Sequence, residues 1–384
     1  MNKKLFYYAA LMLSLMFSMG ACSDNDDPKP ENEDPKSLDY TSENAAAWGN
    51  YMYNVAKLLK QDATNLYEYW NVSYKGGEAY AQTFKNHNNS TYPSAISCIQ
   101  EIIEKCAEIA NEVGVAKIGE PYDLYQKGST EDALYAVESW YSWHSRDDYT
   151  NNIWSIQNSY YGSLDGTINA NSLSTLIAST DADRDTKMKA AIANAAKAIQ
   201  DIPQPFRNNI NSNEAKAAME ACATLESLLT EMSTYAQNTF SGSSYDAKLD
   251  AIVDHYVDAV VLPTYKSLSE KNNALFDAVN TLKNSPSNTN FEKACTAWLT
   301  AREPWEKSEG FLFGPVDSEG LDPNMDSWPL DQDMIVQILN SGNFDDMEWG
   351  DDDDDDAVTA AQNIRGFHTL EYLLFKDGEP RTIK

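Results

Sequence analysis

Near the C-terminal end of the 384-residue chain, His368 and Glu371 stand three positions apart in Gly366-Phe367-His368-Thr369-Leu370-Glu371, ahead of the apolar run Tyr372, Leu373, Leu374, Phe375. A helix rises about 1.5 Å and turns about 100° per residue, so positions i and i+3 share a face and this imidazole and carboxylate can converge on one ion. Upstream, Glu306 and Glu309 repeat the spacing on what reads as a second helix. Two such helices facing each other would offer three carboxylates and one imidazole. That donor set suits hard or borderline cations: iron or manganese fits better than copper(I), and zinc and calcium remain open. Bundle proteins that hold two irons use Glu-x-x-His on paired helices, whereas here the order is reversed and occurs once, which disfavours a di-iron oxidase. The same residues have a purely structural reading. Ile364, His368, Glu371 and Phe375 fall on one stripe, and Arg302 or Arg365 could neutralise Glu309 or Glu371 without any metal.

The elements that must position these groups are helical. From Leu249 the apolar positions run Ile252, Val253, Tyr256, Val257, Val260, Val261, in the steps of three and four of one buried stripe, with Pro263 expected to kink or interrupt the helix. Met188, Ile192, Ala195, Ala196, Ile199 and Ile202 form another stripe, stopped by Pro203 and Pro205. Further helices are expected at about 44–70, 93–113, 150–161, 211–237, 288–308, 331–340 and 357–376. Alternating strand patterns bounded by hairpin turns are nearly absent, so the fold class is all-α, built as two packed helical bundles. A boundary falls at Ser241-Gly242-Ser243-Ser244, dividing the body into 44–243 and 244–384. Residues 344–356, with consecutive aspartates from Asp351 to Asp356, read as a solvated acidic insert that lacks the spaced ligands and central glycine of a calcium loop.

The N-terminus reads as a lipoprotein leader. Lys3 and Lys4 precede an apolar run from Leu5 to Met19, too short for the ~20 residues that span a bilayer, and then come Gly20, Ala21 and Cys22. Residues 1–21 would be removed and Cys22 acylated, anchoring the protein to the outer membrane; Ser23, Asp24, Asn25, Asp26 and Asp27 resemble a surface-export signal of Bacteroidetes lipoproteins. Residues 22–43 form a flexible acidic tether, rich in Asp, Glu, Pro and Asn. The formal charge of −30 becomes −32 once Lys3 and Lys4 leave with the leader, and such a field repels nucleic acid and anionic lipid surfaces. Cys98, Cys106, Cys222 and Cys295 form no C-x-x-C pair, and Cys98 and Cys106 lie about 12 Å apart along one helix, too far for a disulfide, so buried free thiols are expected.

Three blocks together carry a family resemblance: Ala301-Arg302-Glu303-Pro304-Trp305-Glu306-Lys307-Ser308-Glu309-Gly310-Phe311-Leu312-Phe313-Gly314-Pro315, then Met325-Asp326-Ser327-Trp328-Pro329-Leu330-Asp331, then Gly366-x-His368-x-x-Glu371. In this order and approximate spacing they resemble the imelysin-like family. The family usually places these blocks in its first half. Here Glu138-Ser139-Trp140-Tyr141-Ser142-Trp143, Gln157-Asn158-Ser159-Tyr160-Tyr161-Gly162 and Ile202-Pro203-Gln204-Pro205-Phe206 resemble the family's usual second half and come first, so the order looks circularly permuted. Leu321-Asp322-Pro323-Asn324-Met325-Asp326 is similar to a stretch in a periplasmic component of a ferrous-iron uptake system that contains the same domain. The resemblance implies metal ligands at Glu306, Glu309, Asp326, His368 and Glu371, with Arg302 and Gly366 supporting them.

The family is often catalogued as metallopeptidases, yet the residues argue against catalysis. Zinc-peptidase helices pair two histidines with a glutamate, while the residue after Glu371 is Tyr372. His87, His144 and His255 are not placed to complete such a helix, and no Gly-x-Ser-x-Gly elbow is present. Trp140, Trp143, Trp154, Tyr160 and Tyr161 could line a cleft or pack a core, and His144 falls in the same region. The sequence thus points to an extracytoplasmic, lipid-anchored imelysin-like protein whose cleft between two bundles binds a metal ion, iron above others, or an iron-containing ligand, in support of iron acquisition alongside envelope uptake partners. The rivals are a metallopeptidase with an unfamiliar ligand set and a surface module that captures a peptide, glycan or protein.

Overall fold

The computed structural model describes residues 39–348 and 355–384. The expected leader, Cys22, most of the tether and Asp351–Asp354 lie outside the described residues. Ten helices frame the molecule: α1 Ala45–Asn71, α2 Ala95–Glu112, α3 Ser145–Tyr161, α4 Ala182–Gln200, α5 Asn213–Phe240, α6 Asp246–Tyr256, α7 Leu262–Asn284, α8 Asn288–Glu306, α9 Leu321–Asp326 and α10 Gly366–Leu374. Further helices, Gln332–Ser341 and Asp355–Gln362 among them, and short helical turns join them. Among the described residues the strands are two-residue β1 Phe375–Lys376 and β2 Glu379–Pro380, an antiparallel pair, so the fold is all-α as the sequence predicts. No described helix is long and apolar enough to cross a membrane.

Residues 39–384 form one compact unit. Helix α1 packs along α7, α7 along α8, α5 along α2 and α4, and α3 against α2, α4 and α8. The stripe on α1 that drives this packing runs Trp48, Tyr51, Met52, Val55, Leu59, Leu66 and Trp70, all buried. Both stripes read from the sequence are buried too, from Leu249 to Val261 and from Met188 to Ile202. At Pro263 the α-helical register is interrupted, as expected, without loss of helical continuity. Val257–Val261 widens into a π turn and α7 restarts with the proline in its first turn, a register in which a missing N–H leaves no orphan acceptor.

The structure departs from the expected elements in several places. The single helix expected over 357–376 is two, Asp355–Gln362 and α10, because Arg365 is extended (φ −137°, ψ −176°) and Gly366 takes φ +87°. Helix α8 ends at Glu306, so Glu309 is not on it but opens the 3₁₀ turn Glu309–Phe311. Helix α3 begins at Ser145, five residues before its expected start at 150, which brings Asp148 onto it. The described residues of the acidic insert are tied to the body: Met347 is buried, its carbonyl accepts from Arg365 Nη1 at 3.3 Å, and Asp355 and Asp356 open a helix, where negative charge meets the positive end of the dipole. The body also starts before the expected tether ends. Tyr40 is buried edge-on against Trp48 and Phe291, its carbonyl accepts from the Lys384 N–H at 3.0 Å, and Lys384 Nζ lies 2.7 Å from Asp39. Cys98, Cys106, Cys222 and Cys295 are free and buried, as expected.

Candidate metal centre

Helices α3, α8, α9 and α10 meet so that their polar faces share one buried volume. Two glycines set the approach. A Cβ on Gly366 would sit 2.6 Å from the Met325 carbonyl oxygen, so only glycine lets the start of α10 touch the end of α9. A Cβ on Gly310 would meet Ser155 Oγ at 2.7 Å, so the turn after α8 lies directly on α3. The first contact delivers His368 to Asp326; the second delivers Glu309 to the face of α3 that carries Asp148 and Asn152. Trp298 on α8 fixes the third side, its indole N–H donating to the Phe367 carbonyl at 3.0 Å.

Arg302 stands inside the cluster rather than behind it. Its guanidinium contacts Asp326 through Nη1, lies 2.6 Å from Glu306 Oε1 through Nη2, and reaches Asp148 Oδ2 at 3.4 Å through Nε. Nη2 also approaches His368 Nε2 at 3.3 Å. The imidazole bridges two acids, with Nε2 3.1 Å from Asp326 Oδ1 and Nδ1 3.3 Å from Glu371 Oε2. Asp326 Oδ2 accepts from the Trp305 indole at 2.6 Å, and Glu306 Oε2 from Asn152 Nδ2 at 2.6 Å. Glu371 Oε1 accepts from both the N–H and the Oγ–H of Ser142, at 2.8 and 2.7 Å. The imidazole of His368 packs edge-on against Trp328, with ring centres 4.9 Å apart.

The five expected ligands therefore share one site but do not converge equally. Oxygens of Glu306, Glu309 and Asp326 all lie within 4.8 Å of one another. His368 and Glu371 join this trio through Asp326 and are engaged with each other. The i, i+3 pairing holds on α10, as the sequence predicts, while Glu309 reaches the trio from the 3₁₀ turn.

The electrostatics follow from crowding acids out of water. Burial, reinforced by Asp148 and Asp326 and opposed by Arg302 and Lys117, pushes the Glu306 carboxyl up to about 8. Burial and the nearby Glu306, Glu112 and Asp326 hold Glu309 well above the carboxylate range against the pull of Lys117. Burial, with Asp326 and Glu112, lifts Asp322 to about 7. Asp326 goes the other way: burial opposes its charge, but Arg302 and His368 outweigh it and hold the carboxyl well below its ordinary range. For His368, burial and Arg302 favour the neutral ring, and Asp326 and Glu371 overcome them, raising it to about 9. Lys117 lies buried on the far flank, 3.0 Å from Glu138 and 3.5 Å from Glu112.

Several of these partners escaped the sequence reading. Asp148, Asn152 and Ser155 sit at steps of four and three on α3, a buried polar stripe that periodicity could have revealed. Lys117, Glu112 and Glu138 leave no such trace, because their meeting depends on tertiary packing. His144 lies beside the cluster, its Nε2 4.0 Å from Asp148 Oδ1. Of the cleft aromatics, Trp140 and Tyr160 are core residues, whereas Trp143 is 37% exposed.

The donors fit a cation. Asp148 Oδ1 and Asn152 Oδ1 are buried oxygens without a hydrogen-bond donor, and Glu306 Oε1 is held by its ion pair with Arg302 alone. Orphaned buried acceptors around a carboxylate trio are what an oxygen-preferring ion would satisfy.

A solved structure of an imelysin peptidase from Bacteroides ovatus is 67% identical and superposes with a TM-score of 0.90 over 91% of this chain and 100% of that one. Iron-regulated protein A of Synechococcus elongatus is 38% identical over 128 residues, which span 33% of this chain and 32% of that protein. The imelysin family profile (Peptidase_M75) matches residues 19–232 and 261–384, and the chain belongs to that family.

Proposed function

We propose that the protein binds a metal ion, or an iron-containing ligand, at Glu306, Glu309 and Asp326, with His368 and Glu371 adjoining, and serves iron acquisition in the cell envelope through a lipid anchor at Cys22. The observation that carries this reading is the trio of carboxylates with oxygens within 4.8 Å of one another, around which buried acceptors lack donors. A bound cation would supply positive charge that the site otherwise draws from Arg302, His368 and a proton on Glu306. Arg302 would orient Asp326 and Glu306, and Asn152 would hold Glu306. The likeness to a protein named for iron regulation supports iron as the metal. Two-bundle organisation in permuted order, with the cleft between residues 44–243 and 244–384, belongs to the same proposal.

Calorimetric titration of chelator-treated protein with ferrous, ferric, manganous, zinc and calcium ions tests it. One site per chain is expected, tightest for iron and lost in a Glu309→Ala, His368→Ala double variant. Absence of binding, or equal affinity in the variant, overturns the reading. Because the Bacteroides ovatus relative is described as a peptidase, unstructured substrates belong in the same experiment, where metal-dependent cleavage lost in Glu371→Gln would establish that activity here.

A further inference from the structure

The side chains of the centre are nearly shut away from solvent: those of Glu306, His368 and Glu371 are 0% exposed and that of Asp326 5%. Whatever reaches them must displace a cover. Residues 139–144, between the short helix Thr130–Tyr135 and α3, lie over Glu371 and Asp148. Their ends are drawn together by the His144 N–H, which donates to the Ser139 carbonyl at 3.0 Å. Ser139 (φ +51°) and Trp143 (φ +59°) both take left-handed backbone conformations that residues with a Cβ rarely adopt. Two such residues within five positions persist only where surrounding contacts hold them.

Trp140 and Tyr141 root the segment in the core, Trp140 against Tyr135 and Arg207 and Tyr141 edge-on to Tyr372, while its polar ties are specific. On the inner side, the Ser142 N–H and Oγ–H both donate to Glu371 Oε1, and Ser139 Oγ–H donates to Asp148 Oδ2 at 2.5 Å. On the outer side, the Gly378 N–H donates to the Tyr141 carbonyl at 2.9 Å, and Gln332 Nε2 donates to the Tyr141 hydroxyl at 2.6 Å. Gly378 presses so closely on the Trp143 indole that a Cβ there would lie 2.5 Å from it. Trp143 itself forms the outer surface.

We propose that residues 139–144 are a strap that closes the metal centre, and that Glu371 is its latch. This rests on the metal-binding reading above. The Glu371 carboxylate holds the strap through Oε1 and His368 Nδ1 through Oε2. Releasing Ser142 therefore opens the path inward and frees an acidic oxygen beside His368 in one event. Glu371 acts here as a positioning residue, so its motif place is explained by access as well as by charge.

A cysteine lock tests the strap. A Cβ on Gly378 would lie 3.0 Å from Trp143 Cγ, which places the two Cβ atoms at most about 4.5 Å apart, within disulfide reach. The Trp143→Cys, Gly378→Cys variant is compared with itself, oxidised and reduced, so any loss common to both cancels. Terbium(III) is the probe, sensitised by Trp305, whose indole lies 2.6 Å from Asp326. The oxidised form should take up terbium at least tenfold more slowly than the reduced form, with the same final luminescence; equal rates overturn the strap. Ser142→Ala, which removes one of the two Ser142 ties and introduces no cross-link, should take up terbium faster than the parent, and an unchanged or slower rate counts against the latch. If neither terbium nor iron binds, the metal reading fails by itself. Hydrogen exchange then decides the strap: the Ser142 and Gly378 amides should exchange together and slow at least tenfold on oxidation, and indifference to oxidation overturns it.

Discussion

Replacing Gly366 by alanine separates two effects at the joint between α9 and α10. At φ +87° any Cβ strains the backbone, by about 1–2 kcal/mol. At this position the added carbon would also sit 2.6 Å from the Met325 carbonyl oxygen, 2.9 Å from its carbon and 3.2 Å from the Asn324 oxygen, all backbone atoms that cannot rotate aside. Overpacking of that kind adds about 1–3 kcal/mol. Gly128 is the matched control, because its φ is +88° and a Cβ there would meet nothing within 4 Å. With an unfolding entropy of about 2.1 cal/mol/K per residue, a body of this size loses roughly 1.4 °C of Tm per kcal/mol. Gly366→Ala should then lower Tm by about 3–7 °C and Gly128→Ala by only about 1–3 °C, read by scanning calorimetry. Gly366→Ala should also weaken metal binding, since it pushes His368 from Asp326, while Gly128→Ala should leave it intact. Equal losses of Tm in the two variants would refute the close approach assigned to Gly366.

Arg302→Met leaves Asp148, Glu306 and Asp326 buried without their shared cation, and should destabilise the protein by about 3–5 kcal/mol; a variant that melts with the parent would remove the guanidinium from the centre of the site. Manganese or calcium should raise the Tm of Arg302→Met more than that of the parent, because the ion restores the missing charge, and the same rise in both would argue against replacement. Asp62 offers a pH test away from the site: burial outweighs the attraction of Arg365, 2.5 Å away, and lifts its carboxyl to about 6. The folded protein then keeps a proton on Asp62 between roughly pH 4 and 6 that the unfolded chain releases, so stability falls as pH rises through that window, by at most about 3 kcal/mol. The Tm difference between parent and Asp62→Asn should shrink or reverse across the window, and a constant difference would contradict the shift.

The fold class and most helix positions were legible because long amphipathic stripes record which face is buried. Helices α1, α2, α5 and α8 begin and end within about three residues of where periodicity puts them. Breaks were harder to read. Gly366 lies inside an apolar run that continues the helical period, and only its contact with Met325 forces the chain to turn there. Glu309 keeps helical spacing from Glu306, yet α8 stops between them because Gly310 must press on Ser155. Within the site, the pair on α10 was readable from spacing, and Asp326 from resemblance. Lys117 and Glu112 were not, since a charged residue on a helix looks the same in sequence whether it meets water or a buried partner.

The contact between Lys384 and Asp39 places the last residue of the chain beside the first described one. A linker of a few residues from Lys384 back to Asp39 would turn the polypeptide into a closed loop without stretching it. A fresh cut at Gly242, whose neighbourhood is exposed, would then yield a chain that begins with α6 and carries the carboxylate helices in its first half.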